Sequence, residues 1–427
     1  MTVFLSASKS EGATFFGDLS TKLNRTENTM LNTSFAPWPS FTHEEADLVK
    51  EVLLSNHVNY WTGHICRDFE HEFAAWIGTE FAIALANGTL ALDLALKAVG
   101  VGPGDEVIVT SRTFIASASC VVNAGARPVF ADVDADSQNI TAQTIAAVIS
   151  PRTKAIICVH LAGWPCDMDP IMALAERHGI VVIEDCAQAH GARYKGRMVG
   201  SIGHIGAWSF CQDKIMTTGG EGGMVTTNCR AYWSSMWSFK DHGKSWDAVY
   251  AKPAAAGYRF VHDSFGTNWR MIEMQAAIGR VQLRHMSSWT RQRQANAKRI
   301  STLCAGLDAV RIPDVPADID HAYYKLYVFV RPEHLAPGWT RDRIVQSINA
   351  RGVPCLQGTC SEVYLEKAFE HTGYRPAQRL PVAMALGETS VVFLVHPTLT
   401  AADMDTSCEV IADVFNKAAV TEAQLVR

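Results

Sequence analysis

The chain has 427 residues, 48% of them apolar and 19% charged, which is enough to bury a large core and indicates one large and one smaller domain. A net charge of −5, with acidic and basic residues interspersed, argues against a nucleic-acid partner. No apolar run approaches the roughly 18 residues of a membrane span, the N-terminus lacks the features of a signal peptide, and the eleven cysteines form no CxxC pair, so we expect reduced thiols in a cytoplasmic protein.

The first 35 residues are polar and show no clear period, so we predict that residues 1–35 form a loosely ordered N-terminal arm or an extension that contacts a partner. Helical spacing follows over residues 44–54 and 70–77. From residue 81 onward, short apolar runs alternate with helical segments. The predicted strands are 81–85, 107–110, 128–131, 155–159 and 180–183, and the predicted helices between them are 90–99, 115–124, 141–149 and 170–178.

These apolar runs are continuous rather than alternating, which is typical of strands covered on both faces. Strand–helix repeats imply right-handed crossovers, so residues 36–270 are predicted to form a large α/β domain around a doubly wound, mainly parallel sheet. Beyond it, a long helix over 271–306, an alternating run over 323–330 and a helix over 341–350 indicate a smaller α+β domain, residues 271–427.

Two short segments carry candidate chemistry. The apolar run Val182-Ile183-Glu184-Asp185 would deliver Asp185 to the carboxyl end of a buried strand, where ligands bind in doubly wound sheets. A second apolar run, residues 207–210, precedes Lys214 and the Gly-rich segment 217–223. A strand-end aspartate and a loop lysine are what pyridoxal 5′-phosphate chemistry needs, because the lysine forms a Schiff base and the carboxylate keeps the pyridine nitrogen protonated.

Each of these features has an ordinary explanation when it is taken alone. The turn 87–89 could be a plain helix N-cap rather than an anion site, and Phe114 could belong to the core. A lone strand-end aspartate is more often a cap, and a lone lysine is usually solvated surface. Their order along the chain favours the site: a Gly-Thr turn, an aromatic after a strand, Asp185, Lys214 and a glycine cluster.

This order resembles the DegT/DnrJ/EryC1/StrS sugar aminotransferase family of fold type I pyridoxal-phosphate enzymes. The resemblance runs from about residue 37 to residue 400. The segments that carry it are ANGTLAL (86–92), GPGDEVI (102–108), EDCAQAHGA (184–192) and NWRM (268–271).

The resemblance implies a role for each matching residue. Lys214 would be the Schiff-base lysine, and Asp185 would pair with the pyridinium nitrogen. The remaining contacts would be made by Gln188 beside the 3-oxygen of the ring, Phe114 on the ring face, and Gly88, Thr89 and Ser209 at the phosphate. In this family an asparagine of the neighbouring subunit completes the phosphate site, and Asn268 matches it, so a homodimer is implied.

The substrate side matches the family less closely. The chain has Cys211-Gln212-Asp213 where the family usually has a triplet such as His-Pro-Thr, and one extra glycine follows Lys214 in the Gly-rich loop. The residues we expect on the substrate side are Trp61, Gly63, His160, Glu221 and His242. We predict no metal site.

The implied reaction transfers an amino group from glutamate, or glutamine, to a nucleotide-linked ketosugar in ping-pong fashion, as in the synthesis of surface polysaccharides such as O-antigen. Two alternatives use the same scaffold: a ketosugar dehydratase and a keto-cyclitol aminotransferase. Family dehydratases replace the lysine by histidine, so Lys214 favours transfer. A non-catalytic regulator would need an appended DNA-binding domain. A P-loop at Gly243-Lys244-Ser245 is excluded, because Ser238 stands where its first glycine belongs.

Overall fold

The computed structural model describes residues 35–250 and 259–420, so the predicted N-terminal arm lies, except for Phe35, outside the described residues. The strands are β1 Phe81–Leu85, β2 Glu106–Thr110, β3 Arg127–Ala131, β4 Thr153–Val159, β5 Val181–Asp185, β6 Arg193–Tyr194, β7 Arg197–Met198, β8 Ile205–Ser209, β9 Gly223–Thr227, β10 Val310–Arg311, β11 Ile319–Asp320, β12 Leu326–Val330, β13 Cys355–Leu356 and β14 Ser390–Phe393. The helices are α1 His43–Ser55, α2 Ile65–Ile77, α3 Gly88–Ala98, α4 Ala116–Asn123, α5 Ala142–Ala146, α6 Met168–His178, α7 Arg230–Lys240, α8 Trp246–Tyr250, α9 Glu273–Cys304, α10 Arg341–Asn349, α11 Pro381–Thr389 and α12 Ala401–Ala418.

A seven-stranded sheet forms the centre of the fold, in the order β1-β9-β8-β5-β4-β2-β3. The strands from β8 to β3 pair in parallel, whereas β9 is antiparallel to both of its neighbours. Helices cover the sheet, so its strands are apolar on both faces: every residue of β2 is buried, as are the last five of β4. This confirms the predicted α/β class with its mainly parallel sheet.

The reversed strand β9 places the Gly-rich loop at the functional edge of the sheet. Gly223, its first residue, pairs with Leu85 at the end of β1 and with Ser209 at the end of β8. Because β9 runs against the other strands, its beginning lies where theirs end. The loop before Gly223 therefore lies beside the carboxyl ends of the parallel strands.

A second, four-stranded antiparallel sheet has the order β10-β12-β14-β13 and packs with α9, α10 and α12. Its strands lie between residues 310 and 393, whereas those of the large sheet lie between residues 81 and 227. The 32-residue helix α9 runs between the two parts and also packs against α1 and α2. We propose that the domain boundary lies at the start of α9, near residue 270.

Some predicted elements differ from those observed. Residues 323–330 were expected to alternate, but β12 is buried on both faces, because Leu326 packs in the core of the smaller sheet and Phe329 in that of the larger one. Helix α2 begins at Ile65 rather than residue 70, since Glu273 accepts hydrogen bonds from its first backbone N–H groups. Helix α5 ends at Ala146 instead of residue 149, because an i→i−3 bond from Val148 tightens its last turn. Within the described residues, no helix is long and apolar enough to cross a membrane.

Candidate active site

A cavity of about 590 Å³ opens at the carboxyl ends of β5 and β8, at the edge of the sheet where ligands bind in doubly wound folds. Its wall combines the N-terminus of α3, the start of α4, and the loops that follow β5 and β8. The predicted site residues that line it are Gly88, Thr89, Phe114, Asp185, Gln188, Ser209, Lys214 and Glu221. Eight of the twenty residues that line the cavity are thus ones that the sequence analysis places in the site.

Asp185 is the buried acid of the cavity. It ends β5, is paired with Val159 and Ala207 on the two flanking strands, and is 6% exposed. Ser117 donates a hydrogen bond to Oδ2 (2.8 Å), and the backbone N–H of Ala187 donates to Oδ1 (3.1 Å). Burial raises the pKa of Asp185 above its usual value, although these hydrogen bonds and the Lys214 charge oppose that rise. A cation placed against this carboxylate would stabilise its charged form.

Ser117 is a site residue that the sequence analysis missed. It lies in the first turn of α4, it is buried, and its hydroxyl also shares a hydrogen bond with Thr113 (2.8 Å). Because Ser117 follows Phe114 by about one helical turn, both face the same cavity. A polar residue three positions after a predicted ring-stacking aromatic was the available signal.

Lys214 lies in the loop after β8. The indole N–H of Trp38 donates to its backbone carbonyl (2.8 Å), which fixes the main chain at this position. Its Nζ lies 3.4 Å from Asp213 Oδ1 and 5.3 Å from the centre of the Tyr324 ring. Lys214 and Asp185 line the same cavity, so one ligand can contact both the amine and the acid.

The N-terminus of α3 lines the same cavity and has the backbone groups that can bind an anion. Helix α3 begins at Gly88, and the Asn87 side chain caps it by accepting from the Leu90 N–H (3.0 Å). The first backbone N–H groups of a helix lack partners within it, and the helix dipole favours negative charge there. A Cβ on Gly88 would lie 2.9 Å from Ser209 Cα, so only glycine lets α3 approach β8 this closely.

Phe114 and Gln188 also line the cavity, and they offer a flat apolar surface and a polar group. The Phe114 side chain is 65% exposed although it lines the cavity, and a ring left open in this way offers a stacking surface. Gln188 Oε1 accepts from the Ala162 N–H (2.8 Å). This bond orients the amide so that its NH₂ group is the available donor.

Together these groups fit pyridoxal 5′-phosphate. The helix N-terminus, with Thr89 and Ser209, would hold the phosphate, and the buried Asp185 carboxylate would bind the cationic ring nitrogen. Phe114 would cover the ring, and Lys214 would form the covalent link. The chemistry of this set of donors and acceptors, an anion site and a buried acid, matches the two ends of that cofactor.

His160 does not contact the cavity, so the prediction that it meets the substrate is wrong. Its side chain is fully buried: Nδ1 accepts from the Cys166 N–H (3.0 Å), and Nε2 therefore carries the proton that is donated to Glu184 Oε2 (2.9 Å). Burial works to raise the pKa of Glu184, but His160 and the backbone N–H of Gly200 hold it below its usual value. This hydrogen bond stabilises the end of β5 on the side away from the cavity lining, between the residue after β4 and Glu184.

Four further predicted residues lie outside the lining of this cavity. Trp61 packs against Trp237 and under the Lys244 ammonium, Gly63 is buried against Glu273, and His242 is exposed. Asn268 is also exposed, as expected of a residue that would reach a neighbouring subunit. These roles stay predictions.

The buried trio His160, Glu184 and Cys186 has the donor atoms of a metal site, all within 4.8 Å of one another. Glu184 nevertheless already accepts from the His160 ring and from the backbone N–H groups of Gly200, Ile202 and Gly203. The trio is therefore explained as a hydrogen-bonded brace.

Comparison with known proteins gives the same answer as the geometry. Residues 39–412 match the model of the DegT/DnrJ/EryC1/StrS aminotransferase family. The chain is 38% identical over 359 residues to the UDP-N-acetyl-3-dehydro-alpha-D-glucosamine 3-aminotransferase of Acidithiobacillus ferrooxidans, covering 83% of this chain and 91% of that protein. It is 37% identical over 368 residues to the GDP-perosamine synthase of Caulobacter vibrioides, covering 86% and 94%. The crystal structure of an aminotransferase from Psychrobacter cryohalolentis superimposes with a TM-score of 0.88 at 62% identity, covering 90% of this chain and 99% of that one.

Proposed function

Because the chain belongs to the DegT/DnrJ/EryC1/StrS aminotransferase family, whose members depend on pyridoxal phosphate, we propose that it transfers an amino group to a nucleotide-linked ketosugar. One observation carries the proposal: a buried carboxylate, an amine and a helix N-terminus converge on one cavity. The relatives named for UDP- and GDP-linked sugars support the substrate class. We take glutamate as the amino donor, as the family resemblance implies.

Different residues of the cavity have different roles in the proposed reaction. When bound, pyridoxal phosphate supplies an aldehyde that captures amines and a ring that withdraws electrons. Asp185 keeps a proton on the ring nitrogen, because a buried carboxylate is stabilised by a positive partner. Lys214 would take the proton from the α-carbon of the donor and deliver it to the aldehyde carbon of the cofactor, and it would move a proton in the opposite direction when the ketosugar is aminated. Among the described residues that line the cavity, it is the one amine. Thr89 and Ser209 would hold the phosphate, and these contacts would fix the position of the cofactor relative to Lys214.

The assembly and the location are part of the same proposal. Phe265 is 99% exposed three residues before Asn268, and Ile272 four residues after it is 42% exposed, so the segment presents apolar surface for burial. A second copy of the chain would cover this segment and receive Asn268 at its own phosphate site. All eleven cysteines are free, which agrees with a reducing, cytoplasmic environment.

A panel of nucleotide sugars tests the function. UDP-, dTDP- and GDP-linked 3- and 4-ketosugars are incubated with glutamate and the cofactor-loaded enzyme, and products are identified by mass spectrometry. We expect one ketosugar to gain an amino group while glutamate becomes 2-oxoglutarate, and we expect Lys214→Ala to give no product. Loss of water from the sugar without a gain of nitrogen would identify a dehydratase, and an amino group appearing only on a keto-cyclitol would reassign the substrate class.

A further inference from the structure

Asp213 occupies the position directly before Lys214 and lines the same cavity. Its Oδ1 lies 3.4 Å from Lys214 Nζ. The mechanism proposed above does not use this carboxylate, although it lies beside the amine. Its side chain is 56% exposed, so packing in the core does not account for its position.

The Asp213 carboxylate is anchored on its other side. Tyr324, a buried residue from the segment that follows α9, donates a hydrogen bond from its hydroxyl to Asp213 Oδ2. The Tyr324 backbone N–H in turn donates to the carbonyl of Ala162 (2.8 Å), and the N–H of Ala162 donates to Gln188 Oε1 (2.8 Å). Tyr324 and these hydrogen bonds thus connect the residue beside Lys214 to Gln188, which lines the same cavity.

Charge reinforces this arrangement. Burial works to raise the pKa of Asp213, but the Lys214 ammonium, the Tyr324 hydroxyl and Lys325 hold it below its usual value. The same carboxylate opposes the fall that burial causes in the pKa of Lys325. The Nζ atoms of both lysines lie near the Tyr324 ring, at 5.3 Å and 4.9 Å from its centre. Asp213 is therefore ion-paired with Lys214, and a second amine, that of Lys325, lies near the same ring.

We propose, on the basis of the function above, that Asp213 is a positioning residue for Lys214. The anchored carboxylate holds the free Nζ in the cavity, between itself and the Tyr324 ring. Lys214 is thus kept in place until a ligand displaces this contact. Tyr324 acts through Asp213 by fixing the direction in which the carboxylate points.

Trace acetylation of the cofactor-free protein tests the proposal. The protein is treated with a small amount of acetic anhydride at one pH, and the labelling of Lys214 relative to Lys195 is measured by mass spectrometry of peptides. Lys195 is the internal standard, since its ion pair with Asp169 (2.8 Å) is independent of Asp213. Only uncharged amines react, so removing a partly exposed counter-ion should raise the Lys214 ratio by roughly three- to tenfold in Asp213→Asn.

Three further variants separate positioning from folding. Asp213→Glu keeps the charge and should restore most of the protection. Tyr324→Phe keeps the charge but removes the anchor, so the ratio should rise by less. Asp169→Asn is the matched control and should raise labelling of Lys195 alone.

An unchanged Lys214 ratio in Asp213→Asn would overturn the proposal, whether or not the variant unfolds at a lower temperature. This labelling involves neither cofactor nor sugar. A raised ratio in a protein that aminates no ketosugar would therefore refute the proposed function and leave the role of Asp213 intact.

Discussion

Replacing Gly88 by alanine should damage the phosphate end of the cavity selectively. The added Cβ would lie 2.9 Å from Ser209 Cα and closer still to its Cβ, whereas ordinary contacts begin near 3.4 Å. Because the contact with Ser209 Cβ would be only 2.4 Å, the N-terminus of α3 must move away from β8 by about 1 Å to restore an ordinary contact. Overpacking of this kind costs about 1–3 kcal/mol, and a loss of that size at the binding site corresponds to roughly a 10- to 100-fold weaker affinity.

The assay compares two ligands that differ only at the group in question. Cofactor-free protein is titrated with pyridoxal phosphate and with pyridoxal, which lacks the phosphate, by following the quenching of tryptophan fluorescence. Wild-type protein should prefer pyridoxal phosphate strongly, and Gly88→Ala should reduce this preference at least tenfold. Gly102→Ala is the matched control, because a Cβ there meets no atom within 4 Å.

Two results would refute this reasoning. An unchanged preference in Gly88→Ala would mean that the α3 N-terminus does not hold the phosphate. An equal loss for both ligands would mean that the substitution disturbs the whole cavity rather than its anion site.

Four other expectations concern the protonation of buried groups, a hydrogen bond in the site and the assembly of the subunits. Burial lowers the pKa of His190 to about 3, so the unfolded chain takes up a proton before the native protein does as the pH falls through 6.5. At pH 5 this difference costs about 2 kcal/mol of stability. Urea unfolding of His190→Phe should therefore show about 2 kcal/mol less loss of stability between pH 7 and pH 5 than wild type. Burial raises the pKa of Asp185, so native protein without cofactor loses stability as the pH rises above the usual pKa of an aspartate. Asp185→Asn should therefore melt at a higher temperature than wild type at pH 7, while it binds the cofactor more weakly. Ser117→Ala removes a hydrogen bond to the charged Asp185 and should slow the reaction with glutamate roughly tenfold in stopped-flow absorbance. Lys214→Ala and Asn268→Ala enzymes should regain activity when their subunits are mixed, since one site of the hybrid then has both residues intact; no recovery in verified hybrids would place Asn268 in its own subunit's site.

Most of the site is predictable because its residues follow strand ends. Asp185 ends β5, and Lys214 follows β8 by five residues, so a parallel sheet must bring both to one edge. Gly88 and Thr89 are predictable for the same reason, because they open the helix after β1. Local sequence order is sufficient wherever the chemistry depends on which end of a strand a residue occupies.

Residues that act across long separations could not be predicted in this way. Asp213 and Tyr324 are 111 positions apart, and their contact depends on how the segment after α9 packs against the large sheet. His160 misled the sequence analysis, since it also follows a strand. Its ring turns inward because Glu184 on the neighbouring strand offers a buried partner, and only the register of β4 with β5 shows that.

Lys214 and Asp185 are proposed to serve one shared cofactor. The most direct test of this proposal is the half-reaction: cofactor-loaded wild-type enzyme is mixed with glutamate alone, and absorbance and 2-oxoglutarate are followed together. We predict that the band of the lysine-linked cofactor disappears with one 2-oxoglutarate per site, and that Lys214→Ala shows neither change at a comparable rate. A wild-type spectrum that ignores glutamate and every other amino donor, or a Lys214→Ala enzyme that converts as fast as wild type, would contradict it.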